Sequence, residues 1–161
     1  MAWPSSPNLG GIIVTTGDPA WSWDPSAPAF AIPTFASDRG ADVEDFSVDH
    51  VVVLVPDLDG AISTFDRIGL TPRLRMLVKG RPAAFFRAGT VVEVIESPVR
   101  APSLYGIAVA TTRSLESVAL EWKALGVSVG DIRPAIQPNR RIFTVHDTDA
   151  GLAVMSADAS R

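Results

Sequence analysis

The chain has 161 residues, of which 47% are hydrophobic, enough for one domain or two fused half-domains with a real core. Its formal net charge of -4 leaves no basic surplus for phosphates, which argues against a general nucleic-acid binder. The absence of cysteine excludes disulfides, thiolate nucleophiles and sulfur metal ligands. No basic residue precedes Arg39, and no apolar run reaches signal or membrane-spanning length. We therefore expect a cytoplasmic protein that engages neither nucleic acid nor a membrane.

Residues 1–46 differ in composition from the rest of the chain and predict an N-terminal arm. They hold the tryptophans Trp3, Trp21 and Trp23 and six prolines, which interrupt helices and favour turns. Within the arm, residues 11–16 (Gly-Ile-Ile-Val-Thr-Thr) predict one strand. The arm is expected to cover a sheet edge, with a subunit interface or a pocket mouth as alternatives.

One pattern of strand, polar turn and helix occurs twice, about fifty-six residues apart. The first copy opens at His50 and its helix ends at Gly69-Leu70, while the second opens at Gly106 and its helix ends at Gly126-Val127. Hairpin-type strands follow each copy, so the sequence predicts an α+β fold of two tandem βαβββ modules. One such unit alone cannot bury its apolar face, so the repeat predicts that the two modules stack. Module one takes residues 47–98, and module two takes residues 103–157.

The strands of module one have predictable faces. They are expected over residues 71–78, 81–87 and 90–96, with turns at Lys79-Gly80 and Ala88-Gly89. Side chains alternate with a period of two, so Glu93 shares its face with apolar neighbours, as His50 does on the first strand. If those two strands are neighbours, the histidine and the glutamate converge.

Three segments carry a resemblance to a known superfamily: residues 49–59, residues 91–94 and the Asp-Thr-Asp-Ala-Gly turn at 147–151. Together they resemble the vicinal oxygen chelate superfamily, which includes glyoxalase I, bleomycin-resistance proteins, methylmalonyl-CoA epimerase and extradiol dioxygenases. The resemblance covers about residues 47–157. It implies that the two modules form a cup-shaped mixed sheet with a small-molecule ligand inside.

A second resemblance narrows the relatives without implying a reaction. Residues 80–87, 105–107 and 137–142 look like an uncharacterised glyoxalase-like branch of the same superfamily.

The resemblance also implies where a metal would bind. Metal-dependent members usually supply a histidine or glutamine from the first strand and a glutamate from the last strand of each module. His50 and Glu93 match in module one. In module two the matching positions fall on Leu104, Tyr105 or Gly106 and on or beside Val154, none of which is a usual ligand.

A transition metal needs about four ligands, so the standard set is incomplete and no cofactor is expected. A divalent metal (Zn, Ni, Mn or Fe) stays open only through a second subunit or through other side chains, which are Tyr105, Gln137, His146 and Asp147.

His50 and Glu93 can also do general acid–base work without a metal. In glyoxalase I and the epimerase, as the resemblance implies, a base removes a proton next to a carbonyl and the metal stabilises the enediolate. Without the metal that charge needs other donors, for which Arg87, Arg140 and Arg141 are the candidates. The alternative is a buried hydrogen bond left from a metal-binding ancestor, with no catalytic role.

Further candidates for ligand contacts follow from strand alternation. Phe85 and Phe86 face opposite ways, as do Arg140 and Arg141, so one member of each pair is expected to face the ligand. An inward arginine suits a carboxylate or phosphate. The full set of ligand-binding candidates is Phe85, Arg87, Tyr105, Gln137, Arg140, Arg141 and Met155.

Three functions remain open. Small-molecule binding without the standard metal site is ranked first, because Ala153, Val154 and Met155 predict an apolar floor in module two. The second is a lyase, isomerase, epimerase or dioxygenase acting on a small carbonyl or aromatic compound through His50 and Glu93. The third is a structural or partner-binding domain with a filled cup. A homodimer clasped by the arm is compatible with all three.

Overall fold

The computed structural model describes residues 7–9, 12–13, 41–148 and 150–157. Within the strand predicted over 11–16, Ile12–Ile13 is described and is a strand. The rest of the arm, including its three tryptophans, lies outside the described residues, as does Asp149 of the final turn. Neither helix in the described part of the chain is long and apolar enough to cross a membrane.

Two helices and eleven strands make up the described part of the chain. The helices are α1 (Leu58–Asp66) and α2 (Leu115–Ala124). The strands are β1 (Pro7–Leu9), β2 (Ile12–Ile13), β3 (Ala41–Asp42), β4 (Phe46–Val55), β5 (Leu74–Val78), β6 (Arg81–Ala88), β7 (Thr90–Glu96), β8 (Ser103–Thr111), β9 (Arg133–Pro134), β10 (Arg141–Val145) and β11 (Gly151–Ser156).

The chain forms two compact units. The first unit contains residues 50–105 and has the strand order β5-β6-β7-β4. The second contains the other described residues and has the strand order β8-β11-β10-β9, together with a separate three-stranded sheet of order β2-β1-β3. In each unit the pairing of first and last strand is parallel, β4 with β7 and β8 with β11, and the hairpins are antiparallel. The predicted α+β class with two tandem βαβββ modules is confirmed.

Each helix begins after a polar N-cap side chain and is followed by a glycine with positive φ. The side chain of Asp57 caps α1 by accepting from the Asp59 amide, and Ser114 caps α2 in the same way. Gly69 and Gly126 follow the helices with φ of +79° and +83°, a left-handed conformation that glycine adopts without steric cost. The helices end slightly earlier than these predicted stops, α1 three residues before Gly69 and α2 two residues before Gly126.

The hairpin of the first unit differs from prediction at one end. Lys79 and Gly80 both have positive φ, as a type I′ turn requires, so the predicted turn is confirmed. Strand β5, however, begins at Leu74 instead of residue 71. Pro72 has no N–H to donate to a strand ladder, which accounts for the later start.

Each unit packs one face of its strands against its own helix. In the first unit, Phe65 of α1 stacks on Phe86 of β6 with ring centroids 4.1 Å apart, and both side chains are almost completely buried. In the second, Trp122 of α2 packs edge-on against Phe143 at 6.1 Å and stacks on Phe46 at 6.3 Å. The prediction that Trp122 belongs to the core is confirmed.

The Phe65–Phe86 pair generates a stability prediction. Replacing Phe65 with alanine removes a buried ring and leaves a cavity, so the free energy of unfolding should fall by about 3–5 kcal/mol. The matched control is Leu77→Ala, because Leu77 is 64% exposed and surface changes usually stay within about 0.5 kcal/mol. Urea denaturation followed by circular dichroism measures both, and similar small losses in the two variants would contradict the assignment of this core.

Candidate functional site

Strand register positions the candidate residues of the first unit. In the parallel ladder, His50 pairs with Val91 and Val52 pairs with Glu93. In the neighbouring antiparallel ladder, Phe85 lies directly opposite Glu93. Since directly opposite residues share a face, these five side chains belong to one face of the sheet.

His50 and Glu93 meet on this face. The His50 Nε2 lies 3.3 Å from Glu93 Oε2, and the two side chains are only 13% and 10% exposed. The convergence expected from strand alternation is therefore observed. An imidazole and a carboxylate in contact and mostly shielded from water form a pair that is suited to proton transfer or to hydrogen bonding with a bound polar group.

The two faces of the first unit are both apolar but differ in exposure. On the α1 side, Val53, Val55, Ala84, Phe86, Val92 and Val94 are at most 3% exposed. On the opposite side, Phe85 is half-buried, while Leu74 and Met76 are 51% and 37% exposed. We call this second side the open face; it consists of His50, Val52, Leu54, Leu74, Met76, Ala83, Phe85, Arg87, Val91, Glu93 and Ile95.

The same ladder in the second unit identifies the positions equivalent to the histidine and glutamate. The β4–β7 ladder runs from His50↔Val91 to Val55↔Glu96, and the β8–β11 ladder runs from Gly106↔Gly151 to Thr111↔Ser156. Both ladders contain the same number of pairs. Gly106 is therefore equivalent to His50, and Ala153 to Glu93, which settles the one-residue offset left open by the sequence.

These equivalent positions cannot complete a metal centre. A Cβ added at Gly106 would lie 1.9 Å from the carbonyl oxygen of Gly151, so the backbone leaves no room for any side chain there. Ala153 carries no donor atom. Only His50 and Glu93 remain of the four expected ligands, and no group of three or more metal-ligating side chains occurs in the described ranges. The residues present do not fit the metal site that the superfamily uses.

Arg140 and Arg141 point in different directions, as predicted. Arg140 is almost buried: its Nη2 forms an ion pair with Asp49 Oδ1 at 2.7 Å, without hydrogen-bond alignment, and its Nε donates to the Ser156 carbonyl at 2.9 Å. Arg141 pairs instead with Glu116 in the first turn of α2. Each arginine thus already has a carboxylate partner within the second unit.

The remaining candidates are distributed over the two units. Arg87 is exposed on the open face, and Tyr105, the last residue of the same unit, is 55% exposed. Gln137 and Met155 belong to the second unit, where Met155 is 1% exposed and His146 is exposed. Within the first unit, the structure brings together His50, Glu93, Phe85 and Arg87 on the open face.

Sequence reasoning did not find the partners of the two adjacent arginines. Asp49 directly precedes His50 in the segment that carries the superfamily resemblance, but the sequence contains no signal that it pairs with Arg140. Glu116 lies in the first turn of a helix, where acidic residues are common regardless of their partners.

Two βαβββ units, each with a parallel pairing between its first and last strand, define the vicinal oxygen chelate fold, and this chain adopts it. No protein-family profile and no curated protein matches the chain.

Solved structures provide the comparison. A methylmalonyl-CoA epimerase from Mycobacterium tuberculosis matches with a TM-score of 0.59 and 18% identity, over 70% of this chain and 89% of that one. The Streptomyces coelicolor epimerase in complex with 2-nitronate-propionyl-CoA matches with 0.57 and 17%, over 70% and 94%. A hypothetical protein from Bacillus halodurans C-125 matches with 0.60 and 17%, over 71% and 96%. Identities this low establish a shared fold and no more.

The Arg141–Glu116 pair generates a pH prediction. Hydrogen bonds from Arg141, followed by the helix backbone and Ser114, lower the pKa of Glu116 from 4.5 to about 2. A carboxylate with a lowered folded-state pKa stabilises the fold above pH 4.5, and this contribution is lost as the pH falls from 4.5 towards 2. The melting temperature of Glu116→Gln should therefore be lower than that of the wild type at pH 7, and the two should converge near pH 2.

The control is Glu44→Gln, which removes an exposed carboxylate in a turn. The melting temperature of Glu44→Gln should stay close to that of the wild type at both pH 7 and pH 2. A constant difference between wild type and Glu116→Gln from pH 7 to pH 2 would contradict the assigned pair.

Proposed function

We propose that this protein binds a small molecule on the open face, with His50 and Glu93 as the polar anchor and Phe85 as an apolar wall. The observation that supports this most strongly is the difference between the two faces of the first unit. One packs Val53, Phe86 and Val94 against α1, whereas the other leaves Phe85 half-buried and Leu74 and Met76 exposed near a shielded histidine–carboxylate pair. Apolar walls with a few convergent polar groups are the usual composition of ligand sites.

The proposal does not use the standard metal site, because Gly106 and Ala153 supply no ligands in the second unit. We also propose that the protein is cytoplasmic and that its ligand is a small organic compound. Structures with the same fold include complexes with methylmalonyl-CoA and with 2-nitronate-propionyl-CoA. Acyl compounds of this kind are therefore sensible first ligands to test.

The binding proposal predicts which strands a ligand contacts. In a protein-observed NMR screen of CoA thioesters and small acids against isotope-labelled protein, hits should shift the backbone amide signals of β4, β6 and β7. Val91 is half-buried on the open face, beside His50 in the register. Val91→Phe fills that space and should weaken binding at least tenfold, since overfilling a contact surface displaces the ligand.

The matched control is Ser63→Phe, which places the same ring on the exposed surface of α1. It should bind as the wild type does. Hits whose shifts avoid β4, β6 and β7, or that tolerate Val91→Phe, would exclude the open face as the binding site.

A second candidate function is proton transfer at a carbon beside a carbonyl, as in an epimerase or isomerase. The 3.3 Å contact between His50 and Glu93 favours it, because an imidazole and a carboxyl group held together and mostly shielded from water are the groups that general acid–base catalysis uses. In this reaction the Glu93 carboxylate accepts the proton, the C–H electron pair forms an enolate, and a protonated His50 returns a proton to the same carbon. The proton on Glu93 then passes to His50 across their 3.3 Å contact, which restores both groups. Of the three arginines considered as donors, Arg87 is the one on the open face.

Deuterium exchange tests this second function directly. Methylmalonyl-CoA incubated with the protein in deuterium oxide should exchange the hydrogen at its branched carbon for deuterium. Proton NMR measures the loss of that hydrogen's signal, and a sample without protein serves as the control. Glu93→Gln should slow the exchange by about 10²-fold or more, the usual contribution of a positioned base.

The control is Glu96→Gln on the same strand. Glu96 faces the other way and accepts the Leu58 amide at 3.1 Å, so its loss should leave exchange unchanged if the variant folds. Equal exchange with and without wild-type protein would exclude proton transfer on this substrate and leave the binding proposal untouched.

A further inference from the structure

We infer that the ligand of the open face is an organic anion, with an apolar body and a single carboxylate that Arg87 holds. This inference rests on the proposed binding function and specifies its ligand class. It is carried by three observations on the first unit: the place of Arg87 in the register, the engagement of the neighbouring arginines, and the acid at the centre of the face.

Arg87 occupies the same row as the histidine. The register aligns His50 with Val91 and Val91 with Arg87, so the imidazole and the guanidinium lie on either side of one valine. Phe85, two residues earlier on β6, lies opposite Glu93 and beside Leu74. The face therefore has a row with His50 and Arg87 next to a row that contains Glu93, Phe85 and Leu74.

The other arginines of the β5–β6 hairpin already have partners. Arg75 pairs with Asp59 at 2.8 Å, and Arg81 donates to the Ser97 hydroxyl. Within the part of the chain that the structure describes, Arg87 makes no ion pair and no side-chain hydrogen bond. The exposed guanidinium of Arg87 is available to an incoming carboxylate, which it can hold by two parallel hydrogen bonds.

Glu93 determines the orientation of the anion. Its carboxyl oxygens lie beside the phenyl ring, so a ligand whose own carboxylate lies away from them avoids oxygen–oxygen repulsion. Arg87 is displaced from Phe85 by two strand residues, about 7 Å. The ligand that fits has its carboxylate at Arg87 and its apolar body about 7 Å away, over Phe85 and Leu74. An aryl- or alkyl-alkanoic acid has these dimensions.

Matched acids and amides test the inference. The probes are 3-phenylpropionate and octanoate, each compared with its neutral amide by titration calorimetry or NMR at low salt. The wild-type protein should bind each acid roughly tenfold or more tightly than its amide, the size expected for a charge-assisted hydrogen-bonded pair. Arg87→Gln should remove this preference without weakening amide binding, and Arg87→Lys should restore part of it. Added salt should reduce the preference.

The control is Arg100→Gln, which removes the same charge from an exposed loop of the same unit. It should keep the acid preference, which separates a specific contact from a change in net charge. The melting temperature of each variant verifies that it folds.

The failures of the inference and of the proposed function are distinguishable. Binding that is blocked by Val91→Phe but equal for acid and amide, or an acid preference that survives Arg87→Gln, overturns the inference and leaves the binding function in place. Failure of both acids, both amides and the CoA thioesters to bind at millimolar concentration overturns the two together.

Discussion

The parallel pairing of β4 with β7 is the constraint on which the rest of the first unit depends. It places Val52 opposite Glu93, and strand alternation then assigns every neighbouring side chain to α1 or to the open face. A slip of one residue would exchange the two faces. It would bring Glu93 to the side of the Phe65–Phe86 stack, where an ionised carboxylate has no partner and its burial costs several kcal/mol. The register that holds the core together is therefore the register that keeps the acid beside the histidine.

Part of this arrangement could be predicted from the sequence, because it depends on local periodicity. Alternation along two short strands places His50 and Glu93 correctly once the strands are assumed to be neighbours. The helix ends follow from single glycines, since Gly69 and Gly126 adopt a conformation that other residues avoid. Similarly, the divergence of Arg140 and Arg141 follows from their adjacency at the start of β10.

The remainder depends on contacts between distant parts of the chain. Which of Phe85 and Phe86 faces the ligand requires knowing the side on which α1 packs. The pairing of Arg140 with Asp49 joins residues far apart in sequence, and no periodicity encodes it. The glyoxalase-like branch, the domain boundaries and the roles of the site residues are likewise still predictions.

The second unit has the same strand pairing as the first, but its two equivalent positions, Gly106 and Ala153, carry no metal ligand. Its arginines pair with its own carboxylates, and its strands approach so closely at Gly106 that the carbonyl of Gly151 occupies the space of a side chain. Regaining a ligand there would require the strands to separate by about 1.5 Å, from 1.9 Å to the 3.4 Å of ordinary contact, before any donor atom could be introduced. No single substitution achieves both changes, and each intermediate would lose packing without gaining a ligand. The close approach at Gly106 therefore makes the loss of the ligand position difficult to reverse by single substitutions. The second module can accumulate further differences from the first more easily than it can regain a metal ligand at this position.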